Sequence, residues 1–183
     1  MQSLAGKLLI AMPSLRDSNF HRTVIFVCAH SEEGALGLVI NRPHPSSLDN
    51  VLQQLGLNWL RQDKPPLYIG GPVAPERGFI LYEKPLDIPG FIQVDPNLFM
   101  GTNPDILNYL AQPSSDDRFL FALGYAGWGT GQLEGELREN SWLVSSMDRD
   151  LLFEIPPAQR WSTAIRQLGF DPAQLVAGSH SIH

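Results

Sequence analysis

Residues 22–43 read RTVIFVCAHSEEGALGLVINRP, and the order of residue types along them decides the fold class. Arg22–Cys28 is β-branched and aromatic, which suits a strand. Val24 to Val27 is apolar without alternation, so both faces are covered and the strand is central. Ser31–Gly34 supplies a turn and Ala35–Asn41 a second strand, so the two pair as a hairpin. Gly37 inside that strand marks a bulge or a close backbone approach. Arg42-Pro43 ends it, because proline cannot donate to a ladder. Centring the turn on Glu32-Glu33 sets Arg22 opposite about residue 43.

The flanking segments extend this picture. Lys7–Met12 reads as a first strand, stopped by Pro13. Ser47 caps a helix through Leu55, in which Leu48, Val51, Leu52 and Leu55 share one face and Gly56 follows the end. Leu67–Gly70 and Gly78–Glu83 are strands around a Gly70-Gly71-Pro72 turn, and Phe91–Val94 is another. Asn103-Pro104 opens a helix through Leu110. Phe119–Tyr125 is a second strongly apolar strand. Thr130–Asn140 reads as a polar helix, Trp142–Ser145 as a strand, and Pro157–Leu168 as a helix with Trp161, Ala164, Ile165 and Leu168 on one face. Asp171-Pro172 opens one last helical turn. Hairpins come first and helices follow, without a βαβ rhythm. The fold class is α/β of the α+β type: a mixed, mostly antiparallel sheet with helices around it. A doubly wound parallel sheet is the alternative. No linker divides the chain, so residues 1–183 form a single domain.

Composition narrows the function classes. The chain has 183 residues, 13 Lys+Arg and 19 Asp+Glu, giving a net charge of −6. That balance opposes sequence-independent contact with phosphate backbones, and no basic recognition helix is present, so direct nucleic-acid binding is not expected. The longest apolar runs, Leu8–Met12 and Val24–Ala29, are far shorter than the ~20 residues of a membrane span. Met1–Gly6 lacks the pattern of a Sec signal. A single cysteine, Cys28, forms no internal disulfide and suits a reducing cytoplasm.

Several segments stand out together: Gly6-Lys7-Leu8-Leu9-Ile10-Ala11-Met12-Pro13, Phe20-x-Arg22-Thr23-Val24 with His30, and Gly34-Ala35-x-Gly37-Leu38-Val39-Ile40-Asn41-Arg42-Pro43. Gly70-Gly71-Pro72-Val73 and Gly124-Tyr125-Ala126-Gly127-Trp128 with Gly131-Gln132-Leu133-Glu134 continue the series, and Trp142 follows. In this order they resemble the YqgE/AlgH family. The resemblance implies one α/β domain with a branched, barrel-like sheet and a bacterial, cytoplasmic setting. It implies no established activity, although some members carry the label of transcriptional regulator. Two positions depart from the family pattern: Tyr82 stands where His is usual, and Gly178-Ser179-His180 replaces a Gly-His-Ala ending.

Three clusters carry candidate chemistry. Gly124, Gly127, Gly129 and Gly131 surround Tyr125 and Trp128, with Thr130 placed to cap the next helix. A strand, a glycine loop and a helix start can present free N–H groups to an oxyanion. Arg22, Thr23, Asn41 and Arg42 gather at the open end of the hairpin, where two guanidinium groups suit an acidic ligand. Salt bridges to Asp17, Asp49 or Glu76 are the competing reading. Cys28 and His30, two apart on a strand, share a face, and an imidazolium there would activate the thiol for an enzyme or redox switch. A buried, inert thiol is the competing reading.

The leading expectation is a regulatory or ligand-binding domain taking a small anionic ligand or a protein partner. Arg22, Thr23, Asn41, Arg42, Gly70, Gly71, Tyr125, Gly127, Trp128 and Thr130 would line one hollow. No catalytic group, cofactor or metal set is singled out. Glu134, Glu136 and Glu139 read as a solvated face, and His180 and His183 lie near a terminus.

Overall fold

The computed structural model describes residues 1–15 and 17–180. β1 (Lys7–Ala11) leads through a loop to β2 (Val24–Ser31), and Glu32-Glu33 turn the chain into β3 (Gly34–Val39). There follow α1 (Leu48–Gln54), β4 (Leu67–Ile69), β5 (Val73–Tyr82), β6 (Phe91–Asp95), β7 (Leu98–Gly101) and α2 (Pro104–Leu110). β8 (Phe119–Trp128), α3 (Gln132–Arg138), β9 (Trp142–Ser146), α4 (Arg149–Phe153), α5 (Pro157–Gln167) and α6 (Pro172–His180) complete the described chain.

The nine strands make one mixed sheet in the order β6-β7-β5-β8-β3-β2-β1-β9, with β4 beside β8 off that path. It curls into a half-barrel with helices around it. The β4–β8 pairing is parallel and the other strand pairings are antiparallel. The mixed, mostly antiparallel class therefore holds, and the doubly wound alternative does not.

β8 is where the sheet forks. Its first half pairs with β4 (Leu67↔Phe121 to Ile69↔Leu123) and its second half with β3 (Ala35↔Trp128 to Gly37↔Ala126). β5 occupies the opposite edge. Gly70 sits in the crotch: it accepts from Val39 N–H and donates to Leu123 O, both at 2.8 Å. A Cβ on Gly70 would lie 2.2 Å from Gly124 O, so only glycine lets the backbones meet there. Consequently β4 and β5 do not pair around Gly70-Gly71-Pro72; they straddle β8.

The inner strands bury both faces, as their unbroken apolar runs require. Leu8 and Ile10 join Val24 and Phe26 in a core under α4 and α5, while Leu9 and Ala11 join Ile25 and Val27 in another under α3. A third core lies between β5, β7 and β8 and the helices α1 and α2. The helix starts read at Ser47 and Asn103 are realised: Ser47 Oγ accepts from Asn50 N–H and Asn103 Oδ1 from Asp105 N–H. β7 and α4 were not anticipated, and α6 is longer than a single turn. β7 escaped notice because its four buried residues lack alternation and the Asp95-Pro96-Asn97 turn before it is short. Among the described residues no helix is long and apolar enough to cross a membrane.

Candidate functional site

The hairpin carries the residues of interest at opposite ends. β2 advances seven residues from Val24 to Ser31, and a strand rises ~3.3 Å per residue, so its ends lie about 23 Å apart. Arg22, Asn41 and Arg42 flank the open end. Trp128 pairs with Ala35 near the turn. The single hollow expected to collect all of these side chains does not form, because β8 continues as a strand to Trp128 instead of looping back after Tyr125.

At the open end most polar groups are consumed by backbone. Asn41 Oδ1 accepts from Val24 N–H and its Nδ2 donates to Arg22 O, each at 2.9 Å. Thr23 is buried and its hydroxyl donates to Phe20 O at 2.8 Å. The Arg42 guanidinium donates to the carbonyls of Ser18 and His21 at 3.1 and 3.0 Å, and also to that of Asn19. Burial pulls its pKa below the usual arginine range, against the opposing field of Asp17. Arg42 thus stitches the loop before β2 and is not half of a bidentate anion clamp.

Arg22 is different. Its backbone is left-handed (φ 52°), it is exposed, and its guanidinium lies over the Trp161 ring, 5.3 Å from the centroid. The Trp161 indole N–H donates to Ala11 O at 2.9 Å, which holds the ring by its edge. Arg22 and Trp161 share an open groove of about 630 Å³ with Asn41, Ser162, Arg166 and Asp171. Among the described residues neither Arg22 nor Arg166 forms an ion pair. Asp171 already accepts from Ala173 N–H at 2.9 Å.

The turn end carries a different arrangement. His30 Nδ1 accepts from Leu4 N–H at 2.9 Å, so the ring proton sits on Nε2, which faces Glu134 Oε1 at 2.6 Å. That hydrogen bond holds the Glu134 carboxyl below the usual carboxylate range. Glu136 Oε2 accepts from the indoles of both Trp128 and Trp142 at 2.8 Å. Two of the three glutamates assigned to a solvated face are therefore partners of β2, β8 and β9. Tyr125, Gly127 and Trp128 line a shallow groove with His30. Thr130 does not cap α3; its hydroxyl donates to Glu33 O at 3.2 Å, and Gly131 (φ 72°) begins the helix. Gly70 spends its N–H on Leu123 O and its carbonyl on Val39 N–H, and a Cβ on Gly71 would lie 2.1 Å from the Tyr125 carbonyl carbon.

Cys28 and His30 do not share a face. The β2–β3 register shifts between Val27 and Ala29, leaving Cys28 as an extra residue. Cys28 falls with Phe26 in the α4/α5 core, whereas His30 pairs with Ala35 on the α3 side. The thiol is 2% exposed and burial pushes its pKa far up, so it is a small hydrophobe and not an activated nucleophile. The same shift moves the residue level with Arg22 from 43 to 42.

Sequence reasoning missed Arg160. It is 2% exposed, donates to Ile155 O at 2.7 Å and Ile40 O at 2.6 Å, and stacks on Tyr68. Burial lowers its pKa. It carries no signal in sequence, because its partners are main-chain carbonyls. Tyr82, at the position of the family's usual His, is 1% exposed and stacks on Phe99, and its hydroxyl has no partner among the described residues. No group of three or more metal-ligating side chains occurs among the described residues, and His183 lies outside them.

Fold and groove define a class: a small α/β protein whose branched, largely antiparallel sheet curls into a half-barrel, with an arginine-bearing groove beside its last helices. The chain belongs to the AlgH-like family, whose pattern it matches over residues 8–173. It is 54% identical over 178 residues to a UPF0301 protein of Magnetococcus marinus, covering 97% of this chain and 96% of that one. A UPF0301 protein of Pectobacterium carotovorum is 44% identical over 179 residues, covering 92% and 94%. The solution structure of the AlgH protein from Pseudomonas aeruginosa superposes with a TM-score of 0.77 at 39% identity, covering 97% of each chain. A Corynebacterium diphtheriae protein shares the fold, with a TM-score of 0.72 at 21% identity over 98% of this chain and 93% of that one.

Proposed function

We propose that the protein is a cytoplasmic regulatory domain that binds a small anion carrying a flat apolar part, in the groove between Arg22 and α5. The observation that carries this reading is the unpaired Arg22 guanidinium lying on Trp161. A non-glycine residue in the left-handed region costs about 1–2 kcal/mol, and such strain is kept where the surroundings use it. Here the strained backbone delivers a cation to an aromatic face, worth ~0.5–1 kcal/mol at an exposed site. The N–H fork of Arg22 remains available for a carboxylate or phosphate. Arg166 adds a second unpaired cation along the same groove, and Trp161 supplies an apolar wall. An unpaired thiol agrees with a reducing compartment. Regulation would pass through ligand occupancy or a protein contact, since a net charge of −6 disfavours a phosphate backbone.

Calorimetric titration with phenyl phosphate and inorganic phosphate tests the reading. Phenyl phosphate is expected to bind more tightly than phosphate alone. Arg22→Ala is expected to weaken it about tenfold or more, the scale of one lost charged hydrogen bond. Arg22→Lys, which keeps the charge but loses the flat fork, should fall between. Absence of binding at millimolar concentration, or an Arg22→Ala variant that binds like the parent, would exclude this groove.

A further inference from the structure

A second cavity opens on the other side of the fold and shares no residue with the Arg22 groove. Where α1 and α2 lie over β5 and β8 they leave about 280 Å³. Val51, Leu107 and Phe121 form apolar walls, and Leu55, 42% exposed, stands at its edge. The space depends on Gly78: a Cβ there would lie 2.7 Å from the Phe121 ring, so the ring packs where a side chain would otherwise stand. Glu76, Gln54 and Thr102 supply the polar groups.

Glu76 is brought there by a break in β5. Val73 pairs with Tyr125 and Gly78 with Leu123, so residues 74–77 bulge out opposite Gly124 alone, and Ala74 turns left-handed (φ 45°). Bulges re-aim side chains in this way. Glu76 is exposed and has no hydrogen-bond or ion-pair partner among the described residues. Its neighbour Arg77 is engaged elsewhere, over the Phe79 ring at 5.5 Å. Asp105 in the first turn of α2 offsets the positive end of that helix. An apolar enclosure with one free carboxylate repels acids and suits an apolar cation.

We infer that this cavity binds a small primary amine with an aromatic or aliphatic body, its ammonium paired with Glu76 and its body against Phe121 and Leu107. Phenethylamine and its neutral near-isostere 2-phenylethanol are the probes, followed by methyl chemical shifts of Val51, Leu107 and Leu123. Phenethylamine is expected to shift those methyls in a saturable way and to bind more tightly than 2-phenylethanol. Glu76→Gln, at an exposed position that leaves packing alone, should weaken the amine about tenfold and leave the alcohol unchanged. The inference fails if neither probe moves these methyls, if the shifts map elsewhere, or if Glu76→Gln binds the amine as the parent does. The Arg22 groove is untouched by any of these results.

Discussion

Glu134 and Glu136 sit two residues apart on α3 and answer to different strands. In sequence they look like any acidic helix face: the His30 partner of Glu134 lies 104 residues upstream, and Trp128 and Trp142, though only 8 and 6 residues from Glu136, lie on two different strands. Only the folding of β8 and β9 beside α3 brings the indoles of Trp128 and Trp142 to one carboxylate oxygen. Arg22 and Arg42 read as one cluster in sequence, yet tertiary contacts leave one on a ring and spend the other on carbonyls. Glu134 has a definite pH signature. Its carboxyl is depressed in the folded state by the His30 hydrogen bond. It therefore contributes stability above the ordinary carboxylate range, and that contribution is lost as pH falls through the depressed value. Glu134→Gln keeps an acceptor for His30 Nε2–H but removes the titration. Melting temperatures followed from neutral to acid pH should show the parent more stable at neutral pH and the difference closing as the carboxylate protonates. A constant difference would mean that the hydrogen bond survives protonation of Glu134.

The elements were legible where their signals are local. Ser47 and Asn103-Pro104 mark helix starts by capping chemistry, and the β2–β3 hairpin follows from its two apolar runs and the residues between them. The bulge at Cys28 was not legible, because an extra residue in a strand leaves no mark in composition. Gly37 illustrates the ambiguity: the bulge lies on the partner strand, and Gly37 is the close approach, with a Cβ there only 2.6 Å from Ile25 Cγ2. Gly70-Gly71 reads from sequence as a tight turn, whereas it is the place where β4 is pressed into the fork of β8. Backbone contacts do not yield as flexible side chains do. Gly71→Ala is therefore expected to destabilise the protein by about 3 kcal/mol or more, at the upper end of overpacking costs. A urea denaturation midpoint within error of the parent would show that the fork can spread.

At the scale of the molecule, the sheet class was legible and the strand path was not. β3 and β4 reach β8 across many residues, and long-range partner choice is set by how three cores fill together rather than by any one segment's pattern. That arrangement makes β8 common to the whole structure: Leu120 and Ala122 face the core under α4 and α5, while Phe119 and Phe121 face the core under α1 and α2. Two cores that share one strand should open together. Cys28 reports on this, since its thiol lies in the α4/α5 core and reacts only when that core opens. Leu110 lies in the other core and is 1% exposed. Leu110→Ala should cost about 2–5 kcal/mol. If opening is global, that loss multiplies the open population reached by iodoacetamide, and Cys28 alkylation under native conditions should accelerate about 30-fold or more. If the α1/α2 side opened by itself, the same substitution would destabilise that side and leave the Cys28 rate unchanged, and β8 would then be a seam between two independent units instead of the strand that joins them.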